Sequence, residues 1–244
     1  MEYWARLRAI VARYPQITAL QQQWQACQAA RDAIQRHELP ADNLPRLGLS
    51  ADQWLFRHAN EARDLRAASH MLEHFRWYIA YHFGVWAMIT ADLMDTWVAT
   101  FPGYRYLEVG AGNGLISFGL RERGASVICT DTLSWTGENA TGRAPWTEVL
   151  PMGASAAVWE YGNQVDAIIM SWMPDKDPND AALLQQVRTY FPHLQIFCIG
   201  ERNGLTNSEL FWTMAHRRPD RRLLALNRHH RQFDGVNDKI YLVS

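Results

Sequence analysis

The 244-residue chain is 48% hydrophobic and 20% charged with a formal net charge of −1, which excludes a disordered polymer and any global field that would draw it onto nucleic acid or an anionic membrane. Only two of its 24 basic residues are lysines, Lys176 and Lys239, and neither follows a glycine-rich loop, which removes phosphate-loop and Schiff-base chemistries unless one of those two serves. Three widely spaced cysteines, Cys27, Cys129 and Cys198, form neither a zinc knuckle nor a complete disulfide framework, which fits a reducing cytoplasm.

Apolar residues recur at helical spacing through the first hundred positions. Trp4, Leu7, Ile10, Val11 and Tyr14 predict one amphipathic helix, and Ile17, Leu20, Trp24, Cys27 and Ile34 predict a second, with Pro15 suited to its first turn. Arg6, Arg8 and Arg13 fall where a signal peptide needs an apolar run. Pro40, Pro45 and Gly48 mark a connector, and Ser50 with Gln53 forms a capping-box pattern for a third helix running through Trp54 toward Met71. The most membrane-like run, 77–91, has 15 residues and includes His82; a spanning helix needs about 20, so buried helix is expected. A helix over 84–99 follows from Trp86, Ile89, Leu93 and Trp97. These helices offer a surface for a homodimer.

Beyond Pro102 short β-rich runs alternate with helical ones, the signature of a parallel sheet wrapped by helices. Strands are predicted over 104–109, 126–130, 166–171 and 193–199, and helices over 114–123, 154–161, 179–190 and 207–217. Two further strands, 222–226 and 239–243, lack room for a crossover helix between them and are expected to pair antiparallel.

The strongest motif is LEVGAGNG, 107–114, where an apolar strand runs into Gly110, Gly112 and Gly114. Such a turn lets backbone approach a ligand without Cβ atoms in the way. A dinucleotide fingerprint would need glycine where Leu115 stands, so a nicotinamide-dependent oxidoreductase remains only a weak alternative. The G-x-G-x-G spacing, with Glu108 two residues before the first glycine, resembles the first motif of class I S-adenosylmethionine-dependent methyltransferases. Asp131, followed by Thr132, ends the next strand, as an acid that accepts hydrogen bonds from ribose hydroxyls does. Ser171-Trp172-Met173-Pro174 is similar to that family's fourth motif, with Trp172 and Met173 replacing its central residues.

The resemblance implies an α/β, Rossmann-like, doubly wound and mostly parallel seven-stranded sheet with an antiparallel last strand over 101–244, preceded by an all-helical cap over 1–100. It implies S-adenosylmethionine as cofactor, held by Glu108, Gly110, Gly112, Gly114, Asp131, Thr132, Gly153, Ala154 and Ser171. The family's adenine-binding acid is missing at 152–155, and 132–147 is expected to be a loop beside the adenosine. The implied reaction is methyl transfer to a small molecule or a protein, aided mainly by positioning; the alternative is a cofactor-binding regulatory or scaffold module without catalysis. Ser171, Trp172, Pro174 and Glu201 are the catalytic candidates, with Tyr78 a second candidate base. Two other patterns compete: His70, Glu73 and His74 match a zinc-binding H-x-x-E-H without a third ligand, and the arginine-rich tract 216–234 reads as a solvated helix end and edge strand rather than a nucleic-acid surface.

Eleven tryptophans outnumber nine tyrosines and nine phenylalanines, and each indole needs a partner for its N–H when buried. Trp4, Trp24, Trp54, Trp86 and Trp97 fall on helical stripes and are expected to pack the cap. Trp77, Trp135, Trp146 and Trp172, with Tyr78, are expected to form an aromatic acceptor pocket for a flat or cationic molecule.

Overall fold

The computed structural model describes residues 2–244. Five helices come first: α1 (Tyr3–Arg13), α2 (Thr18–Gln35), α3 (Ala59–Glu73), α4 (Phe75–Phe83) and α5 (Ala91–Thr100). Strands and helices then alternate as β1 (Arg105–Val109), α6 (Leu115–Arg121), β2 (Ser126–Asp131), β3 (Leu150–Pro151), α7 (Ala154–Tyr161), β4 (Ala167–Ser171), α8 (Asn179–Tyr190), β5 (Gln195–Gly200), α9 (Glu209–Met214), α10 (Arg222–His229) and β6 (Lys239–Val243). The strands form one sheet in the order β3-β2-β1-β4-β5-β6, parallel throughout except that β6 runs antiparallel to β5. This is an α/β, Rossmann-like, doubly wound sheet.

Central strands buried on both faces read as continuous apolar runs, and AIIMS and IFCI divide by the pleat. Tyr106, Ala167, Ile169, Phe197 and Ile199 face α5, α6 and α10, with the N-terminal helices outside them. Leu107, Ile168, Met170, Ile196 and Cys198 face α7, α8 and α9. The first of these cores is continuous from Leu7 of α1 to Leu242 of β6, so α1–α5 share their apolar interior with the sheet.

Three sequence expectations differ from the fold. The sheet has six strands because 222–226 is helical. Leu, Ala and Arg favour helix and the run has no β-branched residue; the position beside β6 is taken instead by a bridge between Arg217 and Val243. Asn227 of α10 then holds β6, accepting from the Ile240 N–H and donating to its carbonyl. The helix expected over 84–99 forms only in its second half: α4 ends at a left-handed Gly84, an irregular stretch follows, and α5 starts at Ala91, capped by the Thr90 hydroxyl. Ser50 caps no α-helix: a 3₁₀ turn over Ala51–Gln53 follows it, and α3 starts only at Ala59.

Candidate active site

The strand order reverses between β1 and β4, and at such a switch point the loops leaving the carboxyl ends diverge and leave a crevice. A cavity of about 600 Å³ lies there, floored by the ends of β1, β2 and β4 and walled by 84–89 and the loop after β4. Its lining includes Glu108, Gly110 and Gly112, Asp131 and Thr132, Gly153 and Ala154, and Ser171 through Pro174. Residues separated by up to 66 positions in sequence thus meet on one rim because three parallel strands end side by side.

The glycine turn is fitted tightly. Gly110 has φ +61°, and a Cβ there would stand 2.7 Å from Met173 Sδ, so the motif brings the β1 and β4 ends closer together than a side chain would allow. Asn113, which carried no sequence signal beyond its place in that turn, is 2% exposed and locks three segments together. It donates to the carbonyls of Phe83 and Ala140 and accepts from the Gly142 N–H.

Glu108 is 2% exposed, and burial pushes its carboxyl up to about 7 although the Ser117 hydroxyl and N–H both donate to Oε2. Its other oxygen accepts no hydrogen bond among the described residues. A desolvated carboxylate with one oxygen unengaged at a cavity is a site prepared for a donor, above all a cationic one. Asp131 has both oxygens already in use, Oδ2 accepting from Gly112 N–H at 2.8 Å and Oδ1 from Leu133 N–H at 2.6 Å; its remaining lone pairs are available at the lining.

At the end of β4, Trp172 has φ +51°, a left-handed conformation that a bulky residue adopts only when its surroundings hold it there. Its indole N–H donates to Asp238 at 3.1 Å, and the Arg76 guanidinium lies 4.7 Å from its ring centroid. Arg76 is itself 1% exposed and bonds both oxygens of Asp234, both oxygens of Asp238 and the Trp86 carbonyl. Burial alone would raise the Asp238 carboxyl. The His230 hydrogen bond, the charges of His230 and Arg76, and the Trp172 N–H outweigh it and hold the group well below the usual carboxylate range. One guanidinium on α4 therefore fixes the backs of two cavity tryptophans.

The sequence-predicted residues divide. Glu108, Gly110, Gly112, Asp131, Thr132, Gly153, Ala154, Ser171, Trp172, Pro174, Trp77 and Trp135 line the cavity, whereas Gly114, Tyr78, Trp146 and Glu201 do not. Glu201 accepts from the N–H groups of Leu205 and Asn237 and so ties two loops. Tyr78 stacks on Tyr3 at 4.7 Å and accepts from Arg31 among the N-terminal helices. Trp146 packs on Phe118 and stacks on His37 at 4.9 Å. Trp86, assigned from periodicity to packing, lines the cavity because Gly84 turns the chain before it; it lies 6.1 Å from Trp77 and 6.2 Å from Trp172, and Trp77 is 6.4 Å from Trp172. Tyr81 packs edge-on to Trp86 at 5.9 Å. His70 and His74 face each other, Nδ1 to Nδ1 at 2.9 Å, Glu73 accepts from Ser69, and no group of three or more metal-binding side chains occurs among the described residues. No helix among the described residues is long and apolar enough to cross a membrane.

No protein-family model matches the chain. No curated protein matches it. Among solved structures it is similar to a variant of MtNAS in complex with S-adenosylmethionine, 14% identical over 100% of this chain and 98% of that one, TM-score 0.39. It is also similar to a candidate O-methyltransferase from Nostoc punctiforme PCC 73102, 13% identical over 70% of this chain and 60% of that one, TM-score 0.38. A third is the plantazolicin methyltransferase BpumL in complex with SAH, 12% identical over 90% and 99%, TM-score 0.38.

Proposed function

We propose that the protein binds S-adenosylmethionine in the switch-point cavity and transfers its methyl group to a small-molecule acceptor held between the β4 end and the 77–89 segment. One observation supports this above the others: the glycine turn with Glu108, the Asp131-Thr132 strand end and the Ser171–Pro174 strand end converge on one cavity. The residues fit most of the cofactor. Glu108 would offer a desolvated, unengaged oxygen to an amino group, Asp131 and Thr132 of the lining would meet ribose hydroxyls, and Met152, Gly153 and Ala154 would give an apolar bed for adenine in place of an acid. Among the described residues no basic side chain lines the cavity, so the cofactor carboxylate would meet backbone and hydroxyl donors.

When bound, this cofactor would supply a methyl group on a sulfonium, which would pass to a lone pair of the acceptor while the C–S electron pair returned to sulfur. The chain's own part is alignment and exclusion of water by Trp77, Trp86 and Trp172. Neither base candidate faces the cavity, since Glu201 and Tyr78 are committed elsewhere, which favours catalysis dominated by positioning.

Calorimetric titration with S-adenosylmethionine and S-adenosylhomocysteine is expected to give micromolar Kd values; binding only in the millimolar range or none would end the proposal. Release of S-adenosylhomocysteine with a panel of small amines and phenols separates a transferase from a binding module. Trp172→Ala is expected to lower that turnover at least tenfold more than Trp24→Ala, which removes a ring buried among the N-terminal helices.

A further inference from the structure

We propose that the acceptor end of the cavity recognises a flat molecule carrying positive charge, an arylalkylammonium or a cationic nitrogen heterocycle, the cation serving recognition and the methylated atom being a different, neutral one that keeps its lone pair. Calling that end the acceptor end rests on the transferase function proposed above. The charged side chains of the lining are Glu108, Asp131, Asp175 and Asp177, all acidic, in a chain that carries 24 basic residues. Glu108 and Asp131 belong to the glycine-turn end. Asp175 and Asp177 stand in the loop after β4, a few residues beyond Trp172, and line the same cavity as the tryptophans. Asp177 gives one oxygen to the Asn179 N–H at 3.0 Å, and neither acid forms an ion pair among the described residues. Lys176 between them is exposed and does not line the cavity.

The tryptophans sharpen the charge preference. Trp86 spends its indole N–H on Thr141 Oγ1 at 3.0 Å and Trp172 on Asp238 at 3.1 Å. What these two rings present to a ligand is π surface without a donor, whose negative quadrupole attracts a cation and is indifferent or repulsive to an anion. The Arg76 charge behind Trp172 does not reverse this, because it is shared between the carboxylates of Asp234 and Asp238. An anionic group would meet no basic side chain among the described residues and no N–H from Trp86 or Trp172, a neutral ring would meet surface alone, and a cation would meet π surface and carboxylates of the same cavity. Trp135, 40% exposed, also lines the cavity.

Three probes of one shape test this: 2-phenylethylammonium, 2-phenylethanol and 3-phenylpropionate, titrated by calorimetry at low ionic strength into protein saturated with S-adenosylhomocysteine. The ammonium is expected to bind about tenfold tighter than the alcohol, with the propionate weakest. In the Asp175→Asn/Asp177→Asn double variant, both positions lying in a surface loop, the preference for the ammonium is expected to fall severalfold with binding of the alcohol unchanged. Equal binding of all three, a preference for the propionate, or no binding of any would overturn the proposal. If S-adenosylhomocysteine itself fails to bind, the transferase function fails, while the same series run without it still reads the charge preference of the pocket.

Discussion

Glu108 concentrates the chemistry of the cleft in one side chain. Its carboxyl titrates at about 7 when folded against an ordinary value of 4.5, because burial outweighs the Ser117 hydrogen bonds. The folded protein therefore holds this proton more tightly than the unfolded chain, and stability is lost as pH rises from 4.5 through 7, by about 3 kcal/mol if the whole shift is expressed. Glu108→Gln keeps an acceptor for Ser117 and removes the titration. Its melting temperature is expected to match the native protein at pH 5 and to exceed it at pH 8, and equal differences at the two pH values would show that Glu108 is ionised in both states. An ammonium bound beside Glu108 stabilises the carboxylate, so S-adenosylmethionine affinity is expected to rise up to tenfold per unit as pH approaches 7 from below, and Glu108→Gln to lose that slope.

Among elements, the junction of α4 with the β4 end and the 230–238 segment is the one most exposed to single substitutions. Arg76 of α4 is fully desolvated between Asp234 and Asp238, and His230 also meets Asp238, at 3.2 Å. Breaking such a set leaves uncompensated buried charge, at about 3–5 kcal/mol. Arg76→Met is thus expected to cost about that much in urea unfolding and to free Trp172, seen as a red shift of tryptophan emission and faster acrylamide quenching. A triple change that also turns Asp234 and Asp238 into Asn is expected to recover part of the stability, and no recovery would mean that packing rather than charge dominates. This junction escaped sequence reading because its members lie up to 162 positions apart and only folding puts Arg76 against Asp238. The same distance explains Trp86: periodicity placed it on a helix face, and the left-handed Gly84, φ +67°, sent it to the cavity instead.

For the whole molecule, the decisive property is the core that runs without interruption from α1 to β6. Helix α5 and the sheet meet through apolar rings, with Trp97 and Phe101 each packed on Phe197 at 4.9–5.1 Å between centroids. We therefore expect one cooperative transition, with far-UV dichroism and tryptophan fluorescence giving coincident urea midpoints, and expect 101–244 expressed alone to lack a cooperative fold. Two separated midpoints would show that the helices and the sheet fold independently.

The sequence by itself determined what is local and periodic. Alternating apolar runs and one glycine-rich turn fixed the doubly wound sheet, the positions of its central strands and the Glu108, Asp131 and Ser171 strand ends, because strand ends of a parallel sheet collect at one edge whatever the loops do. The tertiary structure alone decided which side chains turn toward that edge. Glu201 and Trp146 were drawn into loop and core contacts, and Trp86 and Asn113 were brought in. It also made 222–226 a helix held to β6 by Asn227. These outcomes depend on competition for buried partners between residues far apart in the chain, and no window of sequence contains both competitors.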